Sequence, residues 1–166
     1  MFAKKFKDLD IDIVAAPAIG GTLLSQWTAY FLFFFKKKEI LAVYTVKNKG
    51  PTSTAAESEQ IFRRGYDNYV KGKKVLVLED LTTTGLSVKK TIAAVKNAGG
   101  KVISVGVMFN RDPKHITSEF IGAPFYALQE FVAQASRAEE CPLCKKSVPI
   151  NTKVGHGKEF LEKKKK

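Results

Sequence analysis

The sequence predicts an α/β fold, a central and mostly parallel sheet with helices on both faces. Three observations carry that expectation. Apolar runs that read as strands alternate with helical segments; the runs are continuous rather than alternating, as in strands buried on both faces; and Gly-rich turns follow strand ends. Right-handed crossovers put the strand C-termini of such a sheet on one edge, where ligands of these folds bind.

The elements follow in order. "DIDIVAAP" (10–17) reads as a short buried strand that stops at Pro17. "AIGG" is a tight turn, and a helix runs from about Thr22 to Phe35, with Leu24, Trp27, Phe31 and Phe34 spaced by threes and fours on one face. The last turn of that helix is apolar all round, which suits either deep burial or a subunit contact. "ILAVYTV" (40–46) is a second strand. The polar stretch 47–60 reads as a functional loop rather than a packed element. "KKVLVLED" (73–80) is a third strand. Val88, Ile92 and Val95 mark a helix ended by Ala98-Gly99-Gly100, "KVISVGVMF" is a fourth strand, and a shorter one is expected at "PFYALQEF".

At 166 residues, 45% hydrophobic and 27% charged, the chain fits one soluble domain that buries about two thirds of its unfolded surface. Its charge is less ordinary. Lys and Arg number 28 against 16 Asp and Glu, a net +12; removing the four tail lysines (163–166) leaves +8 on the body. A positive field favours polyanions such as phosphorylated metabolites, nucleic acid or an anionic membrane. The most membrane-like run, 23–35, falls well short of the ~20 residues that span a bilayer, so no membrane association is expected. No signal peptide precedes it, and two cysteines do not make a disulfide framework. A reducing, cytoplasmic protein is expected.

Glu79 and Asp80 leave the third strand side by side, where two carboxylates repel. Taken alone they admit three readings. One acid caps the next helix while the other is solvated; or the pair is a Walker-B-like magnesium site, although no GxxxxGK[ST] phosphate loop exists in the chain; or the acids accept hydrogen bonds from the vicinal hydroxyls of a polyol. The following segment favours the third. Thr82, Thr83, Thr84, Gly85, Leu86 and Ser87 bring hydroxyls and close-set N–H groups to a helix start, a ready phosphate site. A diol-binding pair beside a monophosphate cradle describes a ribose 5-phosphate site.

"VLVLEDLTTTGLS" (75–87) closely resembles the phosphoribosyl-pyrophosphate (PRPP) signature of type I phosphoribosyltransferases, departing at Thr82, where the family usually has an aliphatic residue. The resemblance implies that Glu79 and Asp80 bind the ribose 2- and 3-hydroxyls, and that residues 82–87 bind the 5-phosphate. "PAIGG" resembles the pyrophosphate loop, with Ala18, Ile19, Gly20 and Gly21 facing the leaving group. "VYTVKNKG" resembles the start of the catalytic loop of the orotate branch. There Lys47 matches the family lysine and Val46 replaces its arginine; a solvated loop charge is the plainer reading of Lys47. "FRRGYDNYVKGKKVLVLED", "AAVKNAGGKVISVGVMFNRD" and "CPLCKKSVPINTKVGHGKEF" extend the likeness to orotate phosphoribosyltransferase-like proteins over most of residues 8–160. Arg63 and Arg64 read either as phosphate contacts or as surface charge.

The expected activity is therefore transfer of 5-phosphoribosyl from PRPP to a nucleobase, orotate first. The products are orotidine 5'-monophosphate and pyrophosphate, with Mg2+ held mainly by substrate oxygens and waters. The family also implies a homodimer. It carries an N-terminal hood ahead of the first strand, for which residues 1–10 leave no room. The alternatives are a non-catalytic PRPP-sensing regulator that binds nucleic acid, and a purine-base transferase. Residues 1–137 are expected to form the PRPP-binding core, 138–162 a cysteine-containing extension and 163–166 a lysine tail. Cys141 and Cys144 have zinc-knuckle spacing, and His156 follows. Three ligands where structural Zn2+ takes four leave a shared zinc site, a reduced pair and a redox disulfide open.

Overall fold

The structure is a computed structural model that describes residues 1–48, 58–132, 136, 139–155 and 157–164. The chain divides into two units, Met1–Val132 and Ala133–Lys166.

In the first unit the strands β1 (Ile13–Pro17), β2 (Leu41–Asn48), β3 (Glu59–Phe62), β4 (Lys74–Thr82), β5 (Lys101–Asn110) and β6 (Phe125–Glu130) form one sheet in the order β3-β2-β1-β4-β5-β6. All neighbours are parallel except β3, which runs antiparallel to β2 with Lys47 opposite Gln60. The mostly parallel sheet expected from the sequence is the one observed. β3 is an addition: the stretch read as a loop from residue 47 is strand at both ends. Residues 49–57, between them, lie outside the described residues.

Successive side chains of a strand point to opposite faces, and this splits the core in two. On one face Ile13, Ala15, Val43, Val75, Val77, Val105 and Val107 pack against Val88, Ile92 and Val95 of α4 (Leu86–Asn97). That side also takes Val70 from α3 (Tyr66–Val70) and Ile121 from α5 (Ser118–Ile121). On the other face Val14, Ala16, Leu76 and Leu78 meet α1 (Phe2–Phe6) and α2 (Gly20–Lys36). Helix α1, with Phe2, Ala3 and Phe6 buried, was not expected from the sequence.

Helix α2 forms where expected but rests on the opposite side. Its buried positions are Gly21, Ser25, Thr28, Ala29 and Leu32, whereas Trp27, Phe31 and Phe34 are exposed. Small residues let the helix approach the sheet closely, and the Ser25 hydroxyl donates within the helix to the Thr22 carbonyl (2.8 Å), so its burial leaves no donor unpaired.

The second unit contains α6 (Pro142–Lys145) and α7 (Gly157–Lys164). Among the described residues, no helix is long and apolar enough to cross a membrane.

Candidate functional site

β4 runs parallel between β1 and β5, so its C-terminal end emerges in the middle of the ligand edge. There the strand alternation starts the two acid side chains toward opposite faces, while their carboxyl groups stay within hydrogen-bonding reach at the strand end. Glu79 follows Val75 and Val77 onto the α4 side, while Asp80 follows Leu76 and Leu78 onto the α2 side. Glu79 is only 6% exposed. Burial pushes its carboxyl up to about 8, and hydrogen bonding by the Asp80 side chain adds to the rise; the Asp80 backbone N–H and the charge of Lys47 pull the other way. With its carboxyl raised to about 8, Glu79 is mostly protonated near neutral pH, and the expected repulsion within the pair is relieved.

Asp80 points toward the turn after β1. A Cβ built on Gly20 would stand 2.5 Å from Cγ of Asp80, so the carboxylate occupies space that any side chain at position 20 would take. The Asp80 carboxylate also accepts from the Leu81 N–H (2.7 Å), and the Asp80 N–H donates to Glu79 (3.1 Å). The turn itself hangs from β2, since the Ala18 N–H donates to the Thr45 carbonyl (2.8 Å). The Ala18–Ile19 peptide is cis. Ile19 and Gly20 are exposed and Gly21 is buried.

The loop between β4 and α4 is shaped by its own hydroxyls. Buried Thr82 accepts the Gly85 N–H (3.0 Å), and Thr84 accepts the Leu86 N–H (3.4 Å). Gly85 sits at φ 70° as the N-cap of α4, a left-handed conformation that glycine adopts without penalty. A Cβ there would stand 2.7 Å from the Phe120 ring. Thr82 and Thr84 each accept an N–H of the turn and keep an O–H to donate. Buried Thr82 serves the turn, while Thr83, Thr84, Ser87 and the N–H groups of the first turn of α4 are placed to meet an anion.

Sequence reasoning passed over the segment after β5. Asn110 is fully buried; its side-chain amide donates to the Ile116 carbonyl (3.0 Å) and accepts the Asp112 N–H (3.1 Å). This folds residues 111–121 back so that Ile116, Phe120 and Ile121 pack under Gly85. The Arg111 N–H donates to the Thr82 carbonyl (2.9 Å), which places a guanidinium residue next to the phosphate-type loop. The Asp112-Pro113 turn signal was present in the sequence, but nothing in it pointed toward Gly85.

Comparison with known proteins decides the family. The phosphoribosyl transferase domain matches residues 1–135. This chain belongs to the type I phosphoribosyltransferases. Within that family it falls on the orotate phosphoribosyltransferase-like branch. It is 37% identical over 151 residues to the orotate phosphoribosyltransferase of Caldanaerobacter subterraneus subsp. tengcongensis, a match covering 89% of this chain and 68% of that protein. It is 33% identical over 156 residues to the enzyme of Thermotoga maritima, covering 93% and 73%. Among solved structures it resembles the adenine phosphoribosyltransferase of Thermoanaerobacter pseudethanolicus (TM-score 0.62, 24% identity, 78% of this chain and 75% of that one). It also resembles the Mycobacterium tuberculosis orotate phosphoribosyltransferase in complex with PRPP (TM-score 0.52, 23% identity, 78% and 68%). At these identities the structural likenesses speak for the fold.

In this phosphoribosyltransferase the two segments expected to bind ribose and pyrophosphate do come together, through Asp80 and Gly20. Lys47, near the end of β2, is close enough for its charge to act on Glu79. The cysteines belong to the second unit. Cys141 caps α6, and its thiol is held below the usual range by hydrogen bonds from the Cys144 backbone N–H first and the Cys144 side chain second. His156, expected as the third zinc ligand, lies outside the described residues. Among those described, no three His, Cys, Asp or Glu gather to hold a metal.

Proposed function

We propose that this chain transfers the 5-phosphoribosyl group of PRPP to orotate, giving orotidine 5'-monophosphate and pyrophosphate. The observation that carries this reading is the contact of Asp80 with the Gly20 turn, beside the threonine loop: acid, anion cradle and backbone turn meet on one strand edge. The orotate phosphoribosyltransferases it resembles at 31–37% identity supply the choice of base.

The chemistry needs little from a side-chain nucleophile. A ring nitrogen of the base bonds to the anomeric carbon as its bond to the pyrophosphate oxygen breaks, and the base loses its N–H proton. Positive charge grows on the ribose ring and negative charge on the leaving group. Residues 83–87 hold the 5-phosphate through hydroxyls and N–H groups at the positive end of α4. Asp80 accepts from a ribose hydroxyl and lies beside the cationic carbon; protonated Glu79 both donates and accepts at the neighbouring hydroxyl. The Ala18–Gly21 backbone faces the pyrophosphate, and Lys47 adds a cation there. The Asp80 side chain fits Mg2+, which takes one or two carboxylates and fills its sphere with substrate oxygens and water. When bound, Mg2+ would neutralise charge on the pyrophosphate.

The sheet order also supports a side for the base to enter. With pyrophosphate over the end of β1 and ribose over β4, as this reading has them, the group arriving opposite the leaving group would come from the β5 side of the sheet order. Arg111, the residue after β5, stands there. Its fork of donors suits the carboxylate of orotate.

The test is pyrophosphate release from PRPP in the presence of orotate, uracil, adenine, guanine or hypoxanthine, with a Glu79→Ala/Asp80→Ala double variant as control. Turnover with orotate above the other bases is expected. No release with any base sinks the transferase reading.

A further inference from the structure

Cys141 and Cys144 are the only cysteines in the chain, and transfer of a phosphoribosyl group gives them no task. Their turn is nevertheless closely built. Pro142 opens α6, where its fixed φ suits a helix start and its missing N–H leaves no bond unmade. The Lys145 N–H donates to the Cys141 carbonyl (3.1 Å), Lys146 to Pro142 (3.2 Å), Val148 to Leu143 (3.0 Å) and Ser147 to Cys144 (3.0 Å). With no N–H on Pro142, the first N–H groups of α6 belong to Leu143 and Cys144, and both reach back to the Cys141 sulfur. The Cys144 side chain meets it as well.

That arrangement places the two thiols to bond and makes them unequal. Cα atoms three residues apart in a helical turn are about 5 Å from each other, within the roughly 4.4–6.8 Å that a disulfide spans. The Cys144 N–H, the Cys144 side chain and the Leu143 N–H, in that order, hold the Cys141 thiol below its usual range, so more of it is thiolate at a given pH. Glu139 and Glu140 precede the turn and Lys145 and Lys146 follow it, so the charges along the chain balance and the N–H groups supply the stabilisation. Cys144 is exposed and Cys141 half-buried. We propose that the pair is a thiol–disulfide exchange site whose substrate is a low-molecular-weight disulfide. The Cys141 thiolate attacks one sulfur of the substrate; the substrate S–S bond breaks, a mixed disulfide forms, and the departing thiolate takes a proton from water. Cys144 then gives its proton to water, attacks the Cys141 sulfur and closes an intrachain disulfide, releasing the second thiol. The substrate gains the two electrons that the cysteine pair loses.

Two plainer uses of the pair fit less well. A structural disulfide stabilises by closing a loop, and its effect grows with loop length, so a bridge over Pro142 and Leu143 alone gains little. Structural zinc takes four ligands, and among the described residues no third His, Cys, Asp or Glu gathers with the two cysteines. This inference stands independently of the transferase reading.

The test mixes the reduced full chain with oxidised glutathione under argon and follows intact mass and free thiols. Because no other cysteine is present, both readings report on this pair, with no substitution needed. The expected product is a chain lighter by two hydrogens, with no glutathione attached and two glutathione thiols released per chain. Cys144→Ser should stop at a mixed disulfide on Cys141. Cys141→Ser should react at Cys144 at least about tenfold more slowly, because it lacks the thiol that the N–H groups stabilise. Four results would overturn the proposal: a parent chain that keeps both thiols; a mixed disulfide that persists on the parent; a Cys141→Ser variant that reacts as fast as Cys144→Ser; and a parent chain that holds zinc through the pair and is untouched by the disulfide.

Discussion

Gly20→Ala separates the site from the fold. A Cβ at position 20 would stand 2.5 Å from Cγ of Asp80 and closer still to Oδ2. Carbon atoms in contact sit at about 3.5–4.0 Å, so the carboxylate must retreat by roughly 1 Å or swing away. A displacement of about 1 Å in a reacting arrangement can cost on the order of 10²-fold in rate, which is about 2.7 kcal/mol of transition-state stabilisation. The fold should not suffer to match. Gly20 is exposed at the first residue of α2, where alanine is the better helix former by up to about 1 kcal/mol, and the displaced group is the free end of a side chain. The expected result is therefore a kcat/KM for PRPP about a hundredfold lower with an unchanged or slightly raised Tm. Steady-state pyrophosphate release and a thermal melt measure the two halves. Activity within threefold of the parent would refute the claim that Asp80 works from the position observed. A collapse in Tm would refute the claim that Gly20 serves the site rather than the fold.

Other expectations follow from the same geometry. Thr82→Val removes the acceptor of the Gly85 N–H and should cost about 1–3 kcal/mol of stability and raise the KM for PRPP, read by chemical denaturation and steady-state kinetics. Glu79 has a folded-state pKa of about 8 against an ordinary 4.5. Its contribution to stability is therefore full below about pH 4.5 and is lost as pH rises through 8, a change on the order of a few kcal/mol. Denaturation of ligand-free protein between pH 5 and 9 should show this slope, and Glu79→Gln should flatten it. Lys47→Ala should lower kcat about 10- to 100-fold and leave binding of a PRPP-site ligand nearly unchanged, if its cation acts on charge that develops during transfer. Arg111→Gln should raise the KM for orotate at least tenfold without altering PRPP affinity; an equal loss on both would place Arg111 in the phosphate loop instead.

The sequence made legible those parts of the molecule where a local pattern and its tertiary use coincide. β4, the threonine loop and α4 were readable because a buried apolar run, a left-handed glycine and an amphipathic helix all call for the same strand–turn–helix. β3 was missed because it is four residues long, half polar and at the edge, so it lacks the two-sided burial that makes a central strand apolar. The spacing of Leu24, Trp27, Phe31 and Phe34 was real, yet periodicity reports only that residues share a face. When both faces of a helix are apolar, the core takes the one with small residues, because close approach to the sheet needs Gly21, Ser25 and Ala29 and has no room for Trp27. The acid pair shows the same limit at the scale of two residues. Adjacency in sequence suggested two like charges side by side; the two carboxyl groups do meet at the strand end, but burial first and the hydrogen bond with the Asp80 side chain second take the charge from Glu79. Under the proposed function the pair then offers a neutral carboxyl at Glu79 to orient a hydroxyl, a role set by how deeply that side of the strand is covered and not by anything the two letters show.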